Sequence, residues 1–226
     1  MVLSTIAALG IGLAVIAFAV LQQPANAPAG LELSRPDAAV PAGLADGRTL
    51  GSASAPVTIE IWSDFQCPAC RMFATDTEPS IVNTFVVAGT AKLVYHDAAF
   101  QGQRGANPAY DESVESAAAA RCAADQGKFW EMHNWIFANW NGENEGAFTA
   151  PRLRSMADRA GVGLAAYDAC LATGDMQAAA RAETSQAVAT GVTSTPTIVI
   201  NGQAYAGALT ITQLSQLIEQ ATATAR

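Results

Sequence analysis

The chain has 226 residues, half of them hydrophobic, and a net charge of −8. That length holds one core-bearing domain with additions. The acidic balance, with no basic run anywhere, excludes nucleic acid as a partner.

Ile6 to Leu21 is a continuous apolar run, and Ala25-Asn26-Ala27 follows with the small-x-small spacing of a cleavage site. This is the layout of a secretory signal peptide, although no Lys or Arg precedes the run. The run also approaches the roughly 20 residues that cross a bilayer. Residues 1–27 are therefore expected to be a cleaved signal or an uncleaved membrane anchor. Either places the rest of the chain outside the cytosol, in the periplasm or at the outer face of the cell membrane, where disulfides persist. Residues 28–50 are rich in Ala, Pro and Gly and read as a flexible linker. The folded domain is expected over 51–226.

Val57, Ile59 and Ile61 alternate with Thr58, Glu60 and Trp62, which predicts a strand. A helix is expected from Pro68 to about Ala88. Pro79 lies inside it, so a break is expected near Glu78, with Gly89 as the C-terminal cap. Lys92 to His96 reads as a second strand, which completes a βαβ unit.

Cys67-Pro68-Ala69-Cys70 stands at the first strand-to-helix junction, the usual seat of thiol–disulfide chemistry. Pro is favoured at the first helical position, which makes Cys67 the expected N-cap. Its sulfur would then face unpaired N–H groups and the positive end of the helix dipole, both of which favour a thiolate. Structural bridging, half of a zinc site and buried inert thiols are the alternatives. Zinc takes about four ligands, and Cys122, Cys170, His96 and His133 form no second close pair. No metal and no cofactor are expected.

Helical segments follow at Asp111–Ala124, Gly127–Trp140, Pro151–Ala160, Leu164–Ala172 and Asp175–Thr190. They read as a subdomain inserted at about 101–190. Thr197 to Ile200 is β-branched, Asn201-Gly202 is a strong two-residue hairpin signal, and Gln203 to Tyr205 is the return strand. Thr210 and Gln213 form a capping box for a last amphipathic helix. The class is α/β: βαβ, helical insertion, ββα.

That order, with Cys-Pro-x-Cys after the first strand, resembles the thioredoxin fold with a helical insertion. The chain is similar to the DsbA-like family of exported thiol–disulfide oxidoreductases. The likeness is carried by Ala55–Ile59, by Ser63-Asp64-Phe65-Gln66 leading into Cys67–Cys70, by Asp125–Glu131 and by Gly191–Thr197. The resemblance implies that the Thr195–Pro196 bond is cis and faces the cysteines. The Thr195 backbone is then left to pair with an extended substrate. It implies Cys67 and Cys70 as catalytic residues with Pro68, Ala69, Thr195 and Pro196 around them. It also implies reduced exported polypeptides as substrates and a membrane reoxidant of the DsbB or VKOR type as partner. Relatives often carry a Glu six residues before the first active-site Cys; here that residue is Ile61. Glu60 should point to the other face, which leaves the proton acceptor for Cys70 open.

With Cys67 and Cys70 engaged in redox chemistry, Cys122 and Cys170 are left to each other. A structural disulfide is the expectation, closing about 49 residues and contributing roughly 4 kcal/mol in the chain-entropy account. Two buried free thiols and a second redox relay are the alternatives. His133 reads as a core histidine and His96 as exposed. Trp130, Trp135 and Trp140 read as core of the insertion. Trp62 and Phe65 either line a substrate groove or pack in the core. Oxidation of substrates is the preferred direction, with reduction or isomerisation at the same site as the alternative. A non-catalytic metal- or protein-binding module is a third reading, for which Met72 is the one nearby ligand candidate.

Overall fold

The computed structural model describes residues 32–102 and 110–224. The apolar run and cleavage signature within 1–27 lie outside the described residues. The elements below belong to one compact unit, Leu33–Arg226.

A two-residue hairpin pairs β1 (Ala45–Asp46) with β2 (Thr49–Leu50), and β2 joins the edge of the sheet. Next comes β3 (Val57–Ser63), where alternation places Val57, Ile59 and Ile61 inside at 1% exposure or less. A long irregular helix follows. It runs from α1 (Pro68–Met72) through a π-helical turn, Phe73–Thr77, into α2 (Glu78–Ile81) and a second π-helical turn, Val82–Val86. Pro79 has no N–H to give. The chain absorbs the missing bond by widening to i→i−5 pairing, with the Glu78 N–H donating to the Phe73 carbonyl. The expected break is thus a pair of π-turns. Gly89 closes the helix at φ +71°, a conformation a side chain disfavours.

β4 (Ala91–Asp97) lies parallel to β3, so the βαβ unit forms as expected. The insertion then supplies α3 (Glu112–Ala124), α4 (Phe129–Ala138), α5 (Ala150–Arg159), α6 (Leu164–Ala172) and α7 (Asp175–Ala189). Its first helix starts where the Asp111 carboxylate accepts the Val114 N–H at 3.0 Å. The chain returns through β5 (Thr197–Ile200), antiparallel to β3, and β6 (Gln203–Ala206). Asn201 and Gly202 link these strands at φ +46° and +87°, the left-handed pair that suits the strands' twist. Last is α8 (Ile211–Thr224). The capping box holds, with the Gln213 side-chain oxygen accepting from the Thr210 N–H at 3.0 Å and the Thr210 hydroxyl at 2.9 Å.

The sheet order is β1-β2-β4-β3-β5-β6. One core spans sheet and insertion, and it includes Ile59, Leu93, Phe65, Phe129, Phe137, Leu214 and Ile218. The parallel β3–β4 pair at the centre, antiparallel β5 and β6, and helices inserted between β4 and β5 are the thioredoxin-like architecture.

The flexible-linker expectation for 28–50 fails where the structure describes that segment. Leu33, Val40 and Leu44 pack on the core, and Leu50 is 2% exposed. Asn139 ties the segment down at both polarities: its amide oxygen accepts the Ser34 N–H at 2.8 Å, and its amide nitrogen donates to the Ser34 carbonyl at 2.9 Å. The Ala, Pro and Gly content hid three irregularly spaced leucines and a valine.

Cys122 in α3 and Cys170 in α6 are joined by a disulfide. His96 is not simply exposed. It lies within β4, and its Nδ1 is 2.9 Å from Glu183 and its Nε2 3.2 Å from Glu60. Glu183 also meets Arg48 and Arg121, and Arg121 reaches Asp97 at 2.5 Å. This charge cluster fastens the β1–β2 hairpin segment, β4, α3 and α7 to one another.

Candidate active site

Pro68 begins α1, and Cys67 has the extended backbone of an N-cap, φ −75° and ψ 124°. The Cys67 N–H donates to the Asp64 carbonyl at 3.0 Å, and its own carbonyl accepts the Arg71 N–H at 3.0 Å. Both Cys67 and Cys70 are free thiols, 4% and 1% exposed. The Thr195–Pro196 peptide is cis. It brings Thr195 to the pair, so that the Cys67 thiol donates to the Thr195 carbonyl oxygen at 3.3 Å.

The two sulfurs differ electrostatically. A hydrogen bond from the Cys70 thiol is the largest influence on Cys67. Burial opposes ionisation, but the Thr195 side chain and the N–H groups of Cys70 and Ala69 also favour the thiolate. The balance lowers Cys67 to about 6. Burial pushes Cys70 well above the ordinary thiol range, and the neighbouring Cys67 pushes it further. The two opposite shifts make Cys67 the sulfur that ionises first.

The insertion clamps the turn before Cys67. Gln66 is fully buried, and its carbonyl accepts the Trp140 indole N–H at 2.9 Å. Its side-chain amide donates to Glu112 at 3.1 Å and accepts from the Asn144 N–H. Trp140 thus reaches the active-site turn, and the Arg71 guanidinium lies 5.7 Å from its ring centre. Asp64 is 2% exposed and accepts hydrogen bonds from the Gln66 and Gln101 N–H groups and from the Ser113 hydroxyl. Asp64, Gln66, Glu112 and Trp140 had no site role in the sequence. Asp64 and Gln66 stood inside the leading motif, but their partners lie in helices whose placement the motif does not reveal.

Ile61 is 1% exposed in the core, with no acid in its place. Glu60 faces the other way, toward His96, as strand alternation requires. Neither Trp62 nor Phe65 lines an open groove. Trp62 stacks on His96 with centroids 4.4 Å apart, and Phe65 packs among Tyr95, His133 and Phe137. His133 is 1% exposed and pairs with the Asn134 side chain at 2.9 Å, away from any catalytic duty. Met72 is 51% exposed beside the pair. Among the described residues, no group of three or more His, Cys, Asp or Glu is placed to hold a metal ion.

A cysteine pair at the N-cap of the helix after a central strand, opposed by a cis-proline turn and roofed by inserted helices, defines a thioredoxin-fold protein with a helical insertion. The family model described as Thioredoxin matches residues 44–220, and the chain belongs to that family. It is 29% identical over 178 residues to the Na(+)/H(+) antiporter NhaA 3 of Salinispora tropica, an alignment covering 78% of this chain and 25% of that protein. It is 32% identical over 88 residues to disulfide bond formation protein D of Bacillus subtilis, covering 39% of this chain and 37% of the relative. The chain therefore spans well under half the length of these relatives within the aligned regions. The crystal structure of oxidised BdbD from Bacillus subtilis superposes with a TM-score of 0.69 at 20% identity, covering 84% of this chain and all of that one.

Proposed function

We propose that this chain is an extracytoplasmic thiol–disulfide oxidoreductase that donates a Cys67–Cys70 disulfide to reduced exported polypeptides. The observation that carries this is the unequal pair: Cys67 at the helix N-cap, where its surroundings favour the thiolate, and Cys70 one turn later, where burial favours the thiol. A substrate thiolate attacks the Cys67 sulfur, the Cys67–Cys70 bond breaks, and Cys70 departs and takes up a proton. The substrate's second thiolate then attacks the substrate sulfur of the mixed disulfide, and Cys67 leaves as a thiolate. A low thiol pKa makes Cys67 a good leaving group, which favours giving the disulfide away over keeping it. The name of the Bacillus subtilis relative, a disulfide bond formation protein, supports the same direction.

Reoxidation requires an electron acceptor, and a membrane protein of the DsbB or VKOR type fits that need. Residues 1–27, as signal or anchor, would deliver the chain to such a partner. Among the described residues no helix is long and apolar enough to cross a membrane, so any anchoring falls to that segment.

The test mixes the oxidised full chain with a reduced dithiol peptide. One peptide disulfide should form per chain. Cys67→Ser and Cys70→Ser should form none. Cys70→Ser given the peptide in its disulfide form should accumulate a mixed disulfide through Cys67, which attacks that disulfide and releases the peptide's other thiolate. Retention of peptide oxidation by Cys67→Ser would sink the assignment. Bound metal lost on Cys67→Ser would favour the metal-module alternative.

A further inference from the structure

Asp64 is a buried carboxylate without a countercharge. It stands three residues before Cys67, in the turn that carries the thiol, and its carbonyl holds the Cys67 N–H. One carboxylate oxygen accepts the Gln66 N–H at 2.8 Å. The other accepts the Gln101 N–H at 2.8 Å and the Ser113 hydroxyl at 3.0 Å. All three donors are neutral, and no cation pairs with Asp64 among the described residues. Arg121, the guanidinium on α3, is committed to Asp97 and Glu183. Burying one unpaired charge is costly. A Cys67 thiolate adds a second negative charge within a single turn. Two like charges in a buried site do not both ionise freely, and they titrate as a pair.

The geometry points to Asp64 as a redox-linked positioning residue: the site holds one negative charge in both redox states, on Asp64 when the cysteines are joined and on Cys67 when they are reduced. This rests on the thiol–disulfide assignment above. The balance closes. The substrate dithiol gives up two electrons and two protons, and its sulfurs join. The Cys67–Cys70 bond breaks, one proton ends on Cys70, the other on Asp64, and Cys67 keeps an electron pair as thiolate. Reoxidation reverses each transfer. The interior never has to accept a second uncompensated charge.

Other charged and titratable groups around this turn are Cys70 and Arg71 on α1, Tyr95 and Asp97 on β4, Glu112 and Arg121 on α3, and His133 on α4. Arg71 lies over the Trp140 ring, and the His133 ring meets Phe65. Tyr95 is held well above its usual range by burial. Asp97 has Arg121 and Arg48. Glu112 is bound by the Gly146 and Phe148 N–H groups and the Gln66 amide. Glu112 thus has neutral donors as well; what sets Asp64 apart is its place in the Cys67 turn, where its own carbonyl holds the Cys67 N–H. Burial raises it to about 7 against three hydrogen bonds that favour ionisation, and Cys67 adds to the rise.

Two measurements on the full chain test this. Reduced-minus-oxidised infrared spectra at about pH 7 should show a protonated carboxyl band gained on reduction, and Asp64→Asn should lack it. Thiolate absorbance of Cys67 should titrate broadly in the native chain, and in one step at lower pH in Asp64→Asn. No carboxyl band gained by the native chain, or superimposable thiolate titrations, would overturn the inference. Should Asp64→Asn not fold, the native spectrum decides alone. A native chain that oxidises the dithiol peptide without the band retains the exchange function and loses only this inference. One that oxidises no peptide loses the functional assignment itself.

Discussion

The Cys67 sulfur lies 3.3 Å from the Thr195 carbonyl oxygen, 128 positions away in the chain. That contact joins the two halves of the fold across the whole helical insertion. The Thr195 side chain is among the groups that favour the Cys67 thiolate, after the Cys70 thiol. Thr195→Val removes the hydroxyl and keeps the shape. Cys67 should then titrate higher by on the order of one pKa unit, since a hydrogen bond to a charged group is worth about 1.5 kcal/mol. Thiolate absorbance against pH reads this directly, and an unchanged curve would remove Thr195 from the account.

The Cys122–Cys170 bridge closes a sequence separation of 48 residues between two helices of the insertion. Replacing both cysteines by serine should lower stability by up to about 4 kcal/mol, the chain-entropy figure, with native-state relaxation reducing it. Denaturant unfolding measures the loss. Cys67 reactivity toward iodoacetamide should stay as it was, because neither helix residue touches the active-site turn. A second redox relay would instead show itself as a changed rate of peptide oxidation.

Glu78 is 5% exposed and leaves its Oε2 without a hydrogen-bond partner. Burial raises it to about 8 from an ordinary 4.5. His133, whose Nε2 is 3.8 Å from that oxygen, is lowered by burial to about 4. Burial thus favours the neutral form of both groups. For Glu78 the folded chain keeps a proton that the unfolded chain releases between about pH 4.5 and 8. Stability from this group therefore falls as pH rises through that window, by on the order of 3–5 kcal/mol. Glu78→Gln should flatten that decline. Melting temperatures at pH 5 and pH 8 should converge relative to the native chain, and parallel curves would contradict the argument.

Arg121 is the hub of the cluster on β4 and α7, and its side chain is 13% exposed. Arg121→Met should cost about 3–5 kcal/mol, because it leaves the Asp97 and Glu183 carboxylates buried with fewer countercharges. Burial opposes ionisation of Glu183, but His96 and Arg48 overcome it and hold the group far below the usual carboxylate range. Its contribution is present above that range and fades only as strong acid protonates it. A variant that unfolds in urea at the native midpoint would show the cluster to be ornamental to stability.

The elements with strong periodicity were legible: β3, β4, the hairpin at Asn201-Gly202 and the five inserted helices. The cysteine pair was legible too, because its chemistry is local to one turn. Residues 33–50 were not, since Leu33, Val40, Leu44 and Leu50 are spaced irregularly among alanines and prolines and find their partners only in the assembled core. His96 looked exposed because its neighbours in the cluster come from four separate segments. Gln66 and Asp64 could be read as motif residues but not as anchors. Trp140, Glu112 and Ser113, which they meet, lie between 46 and 74 positions away.

The most direct test of the whole account is the reduction potential of Cys67/Cys70 in the full chain, by equilibration with glutathione and mass analysis of alkylated thiols. A thiolate-favouring Cys67 predicts a potential well above the ~−270 mV of thioredoxin. A value at or below that figure would contradict disulfide donation and turn the site into a reductant.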